Sequence, residues 1–104
     1  MSIQSSVRVP TGNASRYLQQ LCKHWAHHMA VEFTERQGKV VFPRNARGAD
    51  WPGDATLLLF AHDDALECHL EASSEAHLEA LKKGVAIHVD RFGFREAPFT
   101  YDWC

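Results

Sequence analysis

The chain has 104 residues and a mass of 11.8 kDa, enough for one compact domain and too little for two. Its 11 basic and 13 acidic residues leave a net charge of −2 and no basic stripe, which argues against nucleic acid as a partner. No apolar run is long enough to span a bilayer, and residues 1–6 lack the basic and apolar regions of a secretory signal.

Val7 and Val9 alternate with polar neighbours and predict a short strand that ends at Pro10. Thr11-Gly12-Asn13 offers capping chemistry ahead of a helix. Ala14, Tyr17, Leu18, Leu21, Cys22, Trp25 and Met29 recur at three- and four-residue spacing, the apolar stripe of an amphipathic helix. The opposite face carries Arg16, Gln19, Gln20, Lys23, His24, His27 and His28. The period then changes to two: Val31 and Phe33 alternate with Glu32 and Thr34. Gln37-Gly38 is expected as a two-residue hairpin turn, glycine supplying positive φ, so that Phe33 faces Phe42 and Glu35 faces Val40. Val31, Phe33, Val40 and Phe42 then share one side. Pro43 ends the return strand, and the segment from Arg44 to Asp54, with Gly48, Pro52 and Gly53, reads as a loop.

Ala55 to His62 is nearly continuously apolar, the pattern of a strand buried on both sides. Asp63-Asp64 makes a turn. Leu66, Cys68, Leu70 and Ala72 then alternate with Glu67, His69 and Glu71, a strand with one apolar and one charged face. Ser73 or Ser74 caps a second helix, Leu78, Leu81, Val85, Val89 and Phe92 form its buried stripe, and Gly93 terminates it. Phe94, Phe99, Tyr101 and Trp103 predict that the tail docks on the body. The chain is thus expected to be one α+β domain over residues 1–104: a two-layer sandwich in the order β-α-β-β-β-β-α, its antiparallel sheet carrying both helices on one face. The same element order occurs in the TATA-box-binding-protein-like fold, an analogy of architecture alone. Three cysteines make no disulfide framework, and Cys22 and Cys68 fall on core faces; reduced thiols used as small hydrophobes suit a cytoplasmic protein.

Two segments carry a family resemblance: Tyr17-Leu18-Gln19-Gln20-Leu21-Cys22-Lys23-His24-Trp25-Ala26-His27 and His88-Val89-Asp90-Arg91-Phe92-Gly93-Phe94-Arg95-Glu96. Together they resemble domain of unknown function family 2218, small bacterial proteins without an established reaction. Similar domains stand beside, or are fused to, siderophore-interacting flavoproteins. The resemblance therefore implies iron or siderophore handling and a flavoprotein of that kind as a partner.

Seven histidines are the one compositional oddity. His24 and His28 are expected one helical turn apart on the exposed face, a spacing at which two imidazoles can share a metal ion. No further ligand accompanies them, so a solvated helix face is the simpler reading, and no metal site is assigned. His88 falls inside the apolar stripe of the second helix, where a backbone carbonyl is its expected partner. Its functional alternative is a small anion or carboxylate pocket with Arg91 and Arg95, whose planar forks suit two-point binding. Asp90 and Glu96 compete for the same arginines. No nucleophile elbow, phosphate-cradling glycine loop or CxxC motif occurs, so no catalytic residue is assigned.

The hairpin at Asp63-Asp64 places Leu58 and Phe60 on the face away from the helices, joined by Val41. Apolar residues there require a cover, either the tail aromatics or a second copy, and a second copy is the expected one. The expected function is a small cytoplasmic accessory or binding module with no catalytic centre of its own, linked through the resemblance to iron or siderophore metabolism. The alternatives are a small-molecule or metal-binding enzyme using His24 and His28 or His88 and Arg91, and a purely structural homodimer. No cofactor is identified.

Overall fold

Alternation along each strand sorts the chain into two faces, and a computed structural model describing residues 2–45, 48 and 50–104 shows how they are used. The described elements are β1 (Ile3–Pro10), α1 (Ala14–Trp25), β2 (Ala30–Phe33), β3 (Gln37–Phe42), β4 (Ala55–Ala61), β5 (Ala65–Ala72) and α2 (Glu75–Phe92). The strands form one sheet in the order β1-β5-β4-β3-β2, with every neighbouring pair antiparallel. This is the expected α+β order.

The inner face carries Val7 and Val9, Leu66, Cys68 and Leu70, Leu57 and Leu59, and Val40 and Phe42, all buried. Both helices close over them: Tyr17, Leu18, Leu21, Cys22 and Trp25 from α1, and Leu78, Val85 and Val89 from α2. Ser74 caps α2, its Oγ accepting the His77 N–H at 3.2 Å, and Gly93 ends it with its N–H on the Val89 carbonyl. At the start of α1, Asn13 is the cap residue but makes no side-chain cap bond. Its Nδ2 donates to Glu96 instead.

Three expectations change. The β2–β3 hairpin does not turn at Gln37-Gly38: both residues belong to β3, and Phe33 faces Gly38 rather than Phe42. The turn is made by Thr34, Glu35 and Arg36, with the Thr34 hydroxyl accepting the N–H groups of Arg36 and Gln37. The register moves by an even number of residues, so Val31, Phe33, Val40 and Phe42 keep a common side, but Phe33 lies at the open end and is 37% exposed. Secondly, β4 is not buried on both sides: Leu57 and Leu59 are, whereas Leu58 is 37% exposed. Thirdly, α1 ends at Trp25. The bonds from His27 N–H to the His24 carbonyl and from His28 N–H to the Trp25 carbonyl tighten the chain into a turn, which carries it to β2. Met29 lies beyond the helix and still packs on the core. Within the loop expected from Arg44 to Asp54, residues 46, 47 and 49 lie outside the described residues.

The tail docks, but on the helix side. Phe99 meets Tyr17 edge-on, Tyr101 donates to the Ala86 carbonyl and to Asp90, and Trp103 lies under the Lys82 ammonium. Cys104 exchanges two backbone hydrogen bonds with Ser6, extending the sheet at the outer edge of β1. The tail aromatics therefore do not cover Leu58 and Phe60.

Candidate functional site

One face of α2 repeats at 3.6 residues, and His77, Leu81, Gly84 and His88 fall on it at i, i+4, i+7 and i+11. Where α2 diverges from the end of α1 and from β3, these residues line a cavity of about 250 Å³. Trp25, Met29, Phe42, Pro43 and Trp51 complete most of its wall. The packing is aromatic: the Trp25 ring lies 5.5 Å from Phe42, edge-on, and 5.3 Å from His88.

The two imidazoles in the wall are held differently. The His88 Nδ1–H donates to the Gly84 carbonyl at 2.6 Å, the backbone partner expected of a histidine in an apolar stripe. His77 is 3% exposed, and its Nδ1 has no hydrogen-bond partner among the described residues. Trp51 stacks flat on it, with centroids 4.5 Å apart and planes 2° from parallel. Burial holds the His77 pKa below its ordinary value, because it disfavours the charged ring.

The other sequence-selected residues are dispersed. His24 is half-buried, its ring 5.1 Å from that of His88 and 5.7 Å from that of Phe92. His28 lies in the turn after α1, so it is not one helical turn on from His24; its ring neighbour is His27, at 6.5 Å. Among the described residues no group of three His, Cys, Asp or Glu side chains is placed to hold a metal ion. Arg91 and Arg95 are exposed and stand outside the cavity wall; the Arg95 guanidinium lies 5.7 Å from the Phe94 ring. Asp90 and Glu96 do not pair with them. Asp90 accepts from Tyr101 and from the Phe99 N–H, and Glu96 accepts from Tyr17, Thr11 and Asn13.

Val41, Leu58 and Phe60 share the outer sheet face, as the strand pattern requires. Leu58 and Phe60 border an open groove with Lys39, Thr56, His69 and Glu71. Beside it, Glu67 accepts from His62 at 2.7 Å and from His69, and those bonds hold its pKa below the usual carboxyl value.

His77, Trp51 and Gly84 were not selected as site residues from the sequence. The i, i+4, i+7, i+11 spacing of His77 to His88 was visible there. Nothing in the sequence places Trp51, which reaches His77 from the loop between β3 and β4.

No curated protein matches the chain. Among solved structures it is similar to the NMR structure of PA4090 from Pseudomonas aeruginosa, with 30% identity and a TM-score of 0.74, covering 97% of this chain and 94% of that one. A family model described as "Uncharacterized protein conserved in bacteria (DUF2218)" matches residues 6–104, and the chain belongs to that family.

Proposed function

We propose that the protein is a cytoplasmic accessory module that binds a small molecule in the cavity between α2, the end of α1 and the β3–β4 loop. His77 carries this reading: its Nδ1 is buried in the wall without a partner among the described residues. Leaving a buried donor or acceptor unsatisfied costs about 1–3 kcal/mol, which a bound polar group would recover. The surrounding wall is mainly apolar and aromatic, as small-molecule sites are, and its volume of about 250 Å³ admits a small aromatic ligand. The described wall contains no Ser, Thr or Cys for an imidazole to activate, which favours binding over catalysis. The free thiols of Cys22, Cys68 and Cys104 fit a reducing compartment.

The test is an NMR titration of the intact protein with toluene, indole and dihydroxybenzoate. The last probe is a catecholate fragment and carries the iron and siderophore link into the experiment. Saturable shifts confined to Trp25, Trp51, His77 and His88 are expected for at least one probe. Absence of such shifts for all three overturns the reading, and indifference to dihydroxybenzoate alone removes the catecholate branch.

A second reading, a homodimer through the outer sheet face, is favoured by the path of the tail. Its aromatics are engaged on the helix side, which leaves Val41, Leu58 and Phe60 for a second copy.

A further inference from the structure

Gly84 is the tenth of the 18 residues of α2, and a glycine inside a helix costs about 1 kcal/mol relative to alanine. Close packing explains such a glycine when a neighbour occupies the place of its missing Cβ. At Gly93 that place is crowded by the Phe99 ring, at 2.7 Å. At Gly84 a Cβ would meet nothing within 4 Å, yet the residue lines the cavity. Its bareness therefore keeps the cavity floor clear. His77 and His88 flank it on the same helix face, 11 residues apart, which is about 16 Å of helix rise.

We propose that the ligand is an uncharged, elongated aromatic molecule lying across Gly84 with a hydroxyl at each end, one for His77 and one for His88. This rests on the small-molecule reading of the cavity. A carbonyl only accepts, so the bond to the Gly84 carbonyl places the proton on His88 Nδ1. Its Nε2 is the nitrogen left for the ligand, and a hydroxyl serves it in either form of the ring, donating to a bare nitrogen or accepting from an N–H. At the other end His77 Nδ1 has no partner among the described residues, and a hydroxyl satisfies either tautomer because it both donates and accepts. Trp25, Phe42 and Trp51 present aromatic surface to the body of the ligand. No Lys, Arg, Asp or Glu stands in the described wall, so nothing there compensates a carboxylate or an ammonium removed from water.

The test compares biphenyl, para-phenylphenol, para,para′-dihydroxybiphenyl and the matching dicarboxylate by NMR titration of the intact protein. The diol is expected to bind tightest, each hydroxyl contributing about two- to tenfold. The dicarboxylate should bind at least about tenfold more weakly than the diol. Gly84→Ala should raise the melting temperature through helix propensity while weakening the diol by about fivefold or more. Biphenyl binding as tightly as the diol overturns the end-group assignment and leaves the cavity reading standing. A dicarboxylate that binds tighter than the diol, or an unchanged diol affinity in Gly84→Ala, also overturns this inference. If no member of the series shifts His77 or His88 while toluene or indole does, this inference fails and the cavity reading stands; if none of these probes shifts them, both fail.

Discussion

Gly38 of β3 lies directly beneath Cys22 of α1: a Cβ on Gly38 would stand 2.7 Å from the Cys22 Sγ. The glycine is needed for close approach of helix to sheet, since the only positive-φ glycine among the described residues is Gly48. Cys22 is fully buried, and burial pushes its thiol up to about 11, as expected of a thiol used for packing. Gly38→Ala should therefore destabilise the fold by about 1–3 kcal/mol, although alanine suits a strand better than glycine. Cys22→Ala should relieve part of that cost, giving a non-additive double mutant in urea denaturation. Additive effects of the two changes would show that the contact is not limiting.

Trp25 joins both layers at the cavity mouth. It is 4% exposed and packs against Phe42 and His88. Trp25→Ala should cost about 3–5 kcal/mol, measured as a lower denaturation midpoint at unchanged slope. A midpoint near that of the wild type would contradict the placement of the α1 stripe.

Arg91→Lys and Arg95→Lys should leave stability within about 0.5 kcal/mol of wild type, because neither arginine holds Asp90 or Glu96. The two carboxylates that the sequence offers these arginines are engaged by Tyr101 and Tyr17 instead. A clear fall in melting temperature for either variant would revive that pairing.

Glu96 predicts a pH dependence. Its carboxyl is held below its ordinary 4.5 chiefly by the Tyr17 hydroxyl, with Asn13 and Thr11 adding hydrogen bonds. A carboxyl depressed in the folded state contributes stability above its unfolded pKa and loses it as pH falls through the folded value. The melting temperature of Glu96→Gln should therefore lie below wild type at neutral pH, and the two curves should converge as pH falls below the ordinary 4.5 and through the lower folded value. Tyr17 acts in the opposite sense. Burial first, and then the bond to Glu96, raise its pKa, so its contribution is present below 10 and is lost at higher alkaline pH. A constant gap between the two proteins from neutral pH into acid would refute this linkage.

Phe60→Glu separates the assembly readings. If a second copy covers the outer face, wild type sediments as a dimer and the variant as a folded monomer. Wild type that stays monomeric at high concentration would end that reading.

The seven elements, their order and the inward faces of α1, β5 and α2 were legible in the sequence, because burial imposes periods of 3.6 and 2 that survive in any one-face-buried element. The alternation of Leu66, Cys68, Leu70 and Ala72 settles its own register in this way, and the stripe from Ala14 to Trp25 is buried at every predicted position. The end of α1 was not legible, since Met29 continues the spacing while a tightened turn has already redirected the chain. Gly38 was read as a turn glycine because local rules see φ and do not see Cys22 overhead. The sequence also offered Asp90 and Glu96 as neighbours that compete for Arg91 and Arg95. Tertiary structure gave Asp90 to Tyr101 and Glu96 to Tyr17, residues 11 and 79 positions away. The candidate site shows the same division. His77 and His88 share a helix face by spacing alone, but only the folded chain brings Trp51 against one imidazole and Trp25 against the other. Periodicity reports what one element buries; a cavity is made by what several elements fail to fill, and that depends on packing between residues distant in the chain.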